Sequence, residues 1–300
     1  MKYTIEEIGA KMDALNLWVK MRPFNFAIKA KGLVTPYFCT VAIDEFPPVK
    51  ARLLLLEGWC TLNEFLHAHM DLNFGVYTLP IEFPHYEMVI LHDGTIEFFR
   101  HDAGYVPVEV SPSQRELMAP ILWEVYGVML HFESDDKLAM KYAEKHALFG
   151  RLETEPGKWR DEAFVIPPML PYKESITIDK REIQKAKDLP MVADYKLAVD
   201  FRMMPNRFTK EERPRCVYQL LAVDIATKAP VIDLNASVAR DGGLKGLWEV
   251  MPMQLLLAMI DDGKIPSEIQ VKSQRMMRFL RVLTMELPFK LVMRDQLPYV

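Results

Sequence analysis

The order of strand-like and helix-like segments in the last third of the chain limits most strongly what the chain can fold into. Three β-rich runs come first, and helix and strand then alternate to the end. These segments fall at residues 195–203 (strand), 216–225 (strand), 231–238 (strand), 253–260 (helix), 268–271 (strand), 273–287 (helix) and 289–293 (strand). The β-β-β-α-β-α-β order predicts an antiparallel meander to which the last two strands add in parallel, because each of them is reached through a helix.

The preceding part of the chain mixes helix and strand signals. Capping-box patterns that predict helix starts occur at Thr4, Thr61 and Ser111. A shorter helix is predicted between Ser134 and Gly150, where glycine is typical of a helix end. The dipeptide Asp-Gly at 93–94, between two β-rich runs, predicts a hairpin with a two-residue turn.

The predicted fold class is α+β with two domains. An N-terminal mixed α+β domain covers residues 1–165, and a C-terminal α/β domain covers residues 191–300. Residues 166–190 between them hold a Pro-rich connector and a short charged helix, because the prolines at the start of this stretch exclude a regular helix there.

Composition is that of a globular protein with its own core. Hydrophobic residues make up 50% of the 300, and the longest apolar runs are too short to cross a bilayer. Cys39, Cys60 and Cys216 are widely spaced and form neither a disulfide framework nor a zinc knuckle. The first residues lack the apolar stretch of a signal peptide. The sequence therefore predicts a cytoplasmic protein without a cofactor and without a membrane partner.

Charge is divided unevenly along the chain. The formal net charge is −4, but residues 191–300 carry 16 Lys and Arg against 13 Asp and Glu, so the excess of negative charge lies in the remainder. An acidic first part argues against a chain that wraps a polyanion along its whole length.

Short motifs of the C-terminal part resemble those of ribonuclease-H-like domains, which include the cores of integrases and transposases. The motifs are Val-Asp-Phe at 199–201, Leu-Leu-Ala-Val-Asp at 220–224 and Ile-Pro-Ser-Glu-Ile at 265–269. The resemblance implies a ribonuclease-H-like mixed sheet. It also places Asp200 where those enzymes carry their first metal-binding acid.

The acids that should accompany Asp200 are missing. Ribonuclease-H-like nucleases need a second acid at the end of the fourth strand, so that two carboxylates hold a pair of divalent metals. Here the corresponding stretch is Gln-Val-Lys-Ser at 270–273, and the following helix carries Arg275, Arg278 and Arg281. We therefore predict a metal-free version of the fold with Asp200 as its one candidate catalytic residue. This favours a non-catalytic binding or interaction protein over an enzyme.

The two-part chain also resembles an uncharacterised bacterial family with paired domains of unknown function. The motifs that carry this resemblance are Arg-Pro-Arg at 213–215, Ala-Val-Asp at 222–224, Pro-Ser-Glu-Ile at 266–269 and Leu-Pro-Tyr at 297–299. These motifs are mostly structural, so the resemblance implies a bacterial source and no particular reaction.

A basic helix offers a first alternative function. Four cations recur along one side of a helix whose other side is apolar: Lys272, Arg275, Arg278 and Arg281. This pattern is typical of a solvated helix face, and it also suits a surface that binds nucleic acid. The partner is therefore expected to be either a protein or a nucleic acid.

Two histidines offer a second alternative, a metal-dependent hydrolase. The run His67-Ala68-His69-Met70-Asp71 resembles the HxHxD motif of metallohydrolases. On a strand, the i,i+2 spacing of His67 and His69 puts both imidazoles on one face, ready for one metal. In a helix that begins at Thr61, the same spacing points them about 200° apart.

Overall fold

The structure is a computed structural model, and it describes residues 3–21, 24–43, 47–70, 84–135, 137–168, 176, 178–238 and 243–298. Its contacts divide the chain into two compact units. The first holds most of the chain up to Leu170, and the second holds Pro171–Val300 together with the short segment Ala103–Val106. The predicted α+β class is confirmed, since the described residues form eight helices and two mixed sheets. None of the described helices is long and apolar enough to span a bilayer.

The first unit is built on an eight-stranded sheet. Its elements are α1 (Ile5–Ala14), α2 (Trp18–Met21), β1 (Phe26–Lys29), β2 (Tyr37–Ala42), β3 (Val49–Glu57), α3 (Gly58–Met70), β4 (His85–Leu91), β5 (Ile96–His101), β6 (Val108–Glu109), α4 (Pro112–Ser134), α5 (Leu138–Ala143), β7 (Ala147–Glu155) and β8 (Lys158–Val165). The strand order is β6-β5-β4-β3-β2-β1-β7-β8, and only β1 and β7 pair in parallel.

Hydrophobic side chains cover both faces of this sheet. One face packs against α1 and α4, where Ile8, Met12 and Leu122 are fully buried. On the other face, Leu54 and Leu56 of β3 belong to a smaller core that includes residues of α3. Successive residues of a strand point to opposite faces, so β3 supplies both cores from one apolar run.

All four helices predicted for this unit form, but one of them begins earlier than predicted. The capping boxes at Thr4 and Ser111 are formed and begin α1 and α4. Thr61, in contrast, is buried inside α3, which begins at Gly58. The shorter helix predicted before Gly150 is α5. Gly150 itself lies four residues into β7 instead of at the helix end, and a Cβ there would meet the carbonyl oxygen of Ala27 at 2.5 Å. Close approach of β1 to β7 therefore requires glycine at this position.

The hairpin of β4 and β5 forms with a longer loop than predicted. The backbone N–H of Leu91 donates to the carbonyl oxygen of Thr95 at 2.9 Å, which leaves three residues in the loop. Gly94 at its end has a φ of +87°, the left-handed conformation that three-residue hairpin loops place there. The two-residue turn predicted at 93–94 is thus wrong by one residue.

The second unit has a five-stranded sheet. Its elements are α6 (Lys180–Lys187), β9 (Met191–Phe208), β10 (Cys216–Asp224), β11 (Pro230–Ser237), α7 (Gly243–Asp262), β12 (Ile265–Val271), α8 (Gln274–Thr284) and β13 (Lys290–Met293). The strand order is β11-β10-β9-β12-β13, with β9, β10 and β11 antiparallel and β12 parallel to both β9 and β13. Of the predicted connector, residues 169–175 and 177 lie outside the described residues.

A four-residue segment from earlier in the chain completes the second unit. Residues 103–106 connect β5 to β6 in sequence, yet they bond to the start of β10. The carbonyl oxygen of Gly104 accepts from the N–H of Cys216 at 2.9 Å, and the N–H of Val106 donates to Pro214 at 3.0 Å. The C-terminal unit therefore includes residues that lie far outside its continuous stretch of sequence.

Candidate functional site

Asp200 lies in the central strand β9 beside a lysine of the neighbouring strand. Gln270 of β12 pairs in parallel with Ala198, so Lys272, two residues on, follows the same line as Asp200. Residues two apart on a strand face the same side of the sheet, so Lys272 faces the same side as Asp200. The carboxylate of Asp200 accepts a hydrogen bond from the N–H of Phe201 at 3.0 Å.

The electrostatic surroundings of Asp200 are cationic. Burial raises the pKa of its carboxyl group, and the charges of Arg202 and Lys272 offset that rise in part. Within the residues that the structure describes, the only group of three or more His, Cys, Asp or Glu side chains with converging donor atoms lies elsewhere, in the first unit. Among the described residues, Asp200 thus lacks the companions with which a carboxylate holds paired divalent metals.

The four cations of the predicted basic surface differ in how far they are exposed to solvent. Lys272 and Arg281 are exposed. The guanidinium of Arg275, in contrast, lies 4.0 Å from the ring centre of Trp248, a buried residue of α7. Arg278 is half-buried and has interactions of its own. The face therefore offers two solvent-facing charges, whereas binding to a nucleic acid draws its affinity from many phosphate contacts.

The two histidines of the HxHxD run lie in α3. The helix extends to Met70 and so includes both His67 and His69, whose side chains lie outside the described ones. At helical spacing, residues two apart point in nearly opposite directions. A metal site at His67 and His69 therefore stays a prediction that lies outside the described side chains.

Three other metal-binding side chains meet on the sheet of the first unit. His85 and Glu87 belong to β4, and His101 belongs to β5 directly opposite His85. One donor atom of each lies within 4.8 Å of the others, and all three residues are buried. The two imidazole rings stack with their centres 4.3 Å apart and their planes 13° from parallel.

Glu87 is held on both sides. Its Oε2 lies 2.6 Å from Nε2 of His101, and its Oε1 accepts from the guanidinium of Arg52 at 2.6 Å. Burial alone would raise the pKa of Glu87, but the contact with His101 and the charge of Arg52 lower it to about 2. Glu87 is therefore a carboxylate, not a neutral acid, inside the protein at neutral pH.

The His101 ring is the least satisfied member of this group. Only 3% of His101 is exposed, and neither Nδ1 nor Nε2 makes a well-aligned hydrogen bond with the described residues. The close approach of Nε2 to Glu87 is a contact without hydrogen-bond geometry. Buried polar groups without such partners are uncommon in proteins, and a bound water or ion is one physical explanation for them.

A pocket opens in the second unit, apart from Asp200. It has a volume of about 490 Å³ and lies between the end of α7 and the turn that joins β10 to β11. Tyr195, Asp262 and Lys264 line one side of it, with Nζ of Lys264 4.0 Å from the ring centre of Tyr195. Asp224 on the other side accepts from the N–H of Ala226 at 2.9 Å, as a turn-forming aspartate does.

With this geometry in place, the comparisons with known proteins add one fact. Residues 182–300 match the family DUF6930, a domain of unknown function. No curated protein and no solved structure matches the chain. Asp200, Lys272 and the pocket all lie in the DUF6930 region, whereas the His85, Glu87 and His101 group lies outside it. The match is consistent with the predicted resemblance to an uncharacterised family, and it assigns no activity.

Proposed function

We propose that the protein is a non-catalytic binding or interaction protein whose DUF6930 region is a ribonuclease-H-like domain without its metal site. The sheet order β11-β10-β9-β12-β13 supports the fold, because it is a meander extended by two parallel strands on the side of β9. The observation that carries the loss of catalysis is the position of Lys272 next to Asp200.

The proposed loss of the metal site has an electrostatic cause. Two-metal nucleases use carboxylates to hold two cations about 4 Å from each other, so that the metals stabilise both the attacking and the leaving oxygen. An ammonium group beside the first carboxylate repels both ions, and Arg202 adds a second positive charge.

The proposal predicts that the full chain does not cleave nucleic acids. DNA, RNA and hybrid duplexes incubated with the protein and Mg²⁺ or Mn²⁺ should remain intact, at the level seen for the Asp200→Ala variant prepared in the same way. Cleavage by the wild-type protein that disappears in Asp200→Ala would overturn the proposal, because it would assign a catalytic role to this acid.

The same proposal predicts that removing the charge of Asp200 stabilises the fold at neutral pH. A carboxyl whose pKa is raised in the folded state ionises more easily in the unfolded chain, so ionisation favours unfolding. The loss of folding stability caused by ionisation starts as the pH rises through 3.8 and is complete above the raised pKa. Asp200→Asn should therefore raise the melting temperature at pH 7, and the difference from wild type should vanish near pH 3.

An exposed acid of the same strand provides the control. Asp194→Asn should leave the melting temperature nearly unchanged at every pH, because Asp194 is in contact with water. A lower melting temperature of Asp200→Asn at pH 7 would mean that the carboxylate has a stabilising partner, contrary to the proposed loss of its site.

A further inference from the structure

The backbone of one hairpin brings two histidines and a glutamate to one spot. His85 and Glu87 are two residues apart on β4 and so face the same side of the sheet. His101 is the direct cross-strand partner of His85 in the antiparallel pair of β4 and β5. Side chains directly opposite each other on neighbouring strands lie close together, and this register therefore aims all three at one point.

The surroundings of the three side chains are dry. Glu87 pairs with Leu54 across β3 and β4, and His85 pairs with Leu56. Both leucines are part of the buried core on this face. With water excluded, the negative charge of Glu87 acts at low dielectric, where its attraction for a cation is strongest.

Arg52 orients the carboxylate from outside the group. It donates to Oε1 of Glu87 and leaves Oε2 turned toward His101. Metal-binding carboxylates are commonly held in this way by a second residue that hydrogen-bonds to the oxygen not used by the metal. The arrangement therefore has an outer partner as well as three inward donors.

We propose that His85, Glu87 and His101 bind one divalent transition-metal ion of the zinc type. Two imidazoles and one carboxylate are a ligand set that suits Zn²⁺, and they leave its fourth position to water or another ligand. The ion would also provide a partner for one of the two ring nitrogens of His101. Sequence reasoning, which expects no cofactor, had placed its metal candidates at His67 and His69 instead.

Binding requires a small local movement. Donor atoms that share one tetrahedral zinc ion are about 3.3 Å apart, since each lies about 2.0–2.1 Å from the metal. The three donors now lie within 4.8 Å of one another, and Nε2 of His101 lies 2.6 Å from Oε2 of Glu87. The longer distances must therefore shorten, that short contact must open, and one imidazole must turn out of the ring stack. Changes of this size fall within side-chain rotation and leave the hairpin register intact.

Zinc binding to the untagged full chain tests the proposal directly. The protein is stripped with a chelator, dialysed and titrated with Zn²⁺ in competition with a chromophoric chelator, and native mass spectrometry counts the ions. One ion per chain is expected. His101→Asn should weaken the affinity by at least about 100-fold, since changes to residues outside the ligand set already cost about 10–100-fold.

A histidine of the same hairpin serves as the matched control. His92 lies exposed in the loop between β4 and β5, so His92→Ala should bind zinc as tightly as the wild type. If His101→Asn does not fold, X-ray absorption of the zinc-loaded wild type keeps the test open. That spectrum should show two imidazoles and oxygen at the metal, without sulfur.

Three results would each overturn the proposal. The first is a folded wild-type protein that retains no zinc. The second is binding that survives His101→Asn but is lost in the double variant His67→Ala, His69→Ala, which would move the metal to α3. The third is a sulfur ligand at the metal that disappears in Cys60→Ser, because Cys60 is the exposed thiol among the three free cysteines.

Discussion

Replacing Gly104 with alanine should lower the free energy of unfolding of the C-terminal unit by about 3 kcal/mol. Gly104 has a φ of +82°, which costs an alanine about 1–2 kcal/mol. A Cβ at this position would also lie 2.3 Å from Cγ1 of the buried Val238, and relieving such overpacking costs about 1–3 kcal/mol. Urea denaturation of the full chain measures the change.

A second glycine of the same unit separates the two contributions. Gly263 has a φ of +71° but no heavy atom within 4 Å of the position of a Cβ. Gly263→Ala should therefore cost only the backbone part, about 1–2 kcal/mol. Equal losses for Gly104→Ala and Gly263→Ala would show that the close approach of residues 103–106 to Val238 is wrong.

Cysteine labelling shows which unit responds. Cys216 is fully buried, its pKa is raised by burial to about 11, and its N–H donates to Gly104. Gly104→Ala should speed the reaction of Cys216 with a thiol reagent. The buried Cys39 of the first unit should keep its wild-type rate. Faster labelling of Cys39 alone would place residues 103–106 with the first unit instead.

Local signals predicted the elements whose cause is local. The capping boxes at Thr4 and Ser111 depend on four consecutive residues, and both form. Ser273 similarly caps α8 through its hydroxyl, which accepts from the N–H of Met276 at 3.1 Å. The presence of Lys272 at the end of β12 could also be predicted, because the cap of the following helix shows where the strand ends.

Long-range pairing was not predictable from these signals. Gly150 is typical of a helix end in sequence, and only the approach of β1, more than 100 residues earlier, explains it. The segment at 103–106 has no pattern of its own that would assign it to β10. Contacts of this kind depend on which distant strands meet, and periodicity along the chain contains no information on that choice.

His85, Glu87 and His101 show that a one-residue change in strand register decides which side chains meet. His85 and Glu87 have the same i,i+2 spacing as His67 and His69, but they lie in a β-rich run. A two-residue turn at 93–94 would have paired His85 with Asp102, whereas the three-residue loop pairs it with His101. A slip of one residue changes every cross-strand neighbour, so the group could not be assembled without the loop geometry.

Glu87→Gln should destabilise the first unit by about 3 kcal/mol in metal-free buffer with a chelator. A fall of the carboxyl pKa from 4.5 to about 2 corresponds to about that free energy, which the charged form contributes at neutral pH. The amide keeps the size of the side chain but removes the charge that Arg52 and His101 face. Urea denaturation measures the loss, with the labelling rate of Cys39 as the signal of unfolding in the first unit.

Glu124 of the same unit is the matched control, because its surroundings raise its pKa whereas those of Glu87 lower it. It pairs with Arg151 at 3.1 Å, yet burial, aided by the charges of Glu153 and Asp161, raises its pKa. Glu124→Gln should therefore leave the stability unchanged or increase it slightly. If the two substitutions cost the same, the ion pairs of Glu87 do not stabilise the fold.

The contrast between the two glutamates also fixes how zinc experiments on this hairpin must be interpreted. Because Glu87 stabilises the unit without a metal, weaker zinc binding in Glu87→Gln can arise from local unfolding as well as from a lost ligand. His101→Asn removes one of the two partners that lower the pKa of Glu87 and leaves Arg52 in place. In chelator it should therefore cost less stability than Glu87→Gln, which loses both contacts, while it removes as much zinc affinity. If His101→Asn instead destabilises the metal-free protein as strongly, the group is a structural ion-pair network and not a metal site.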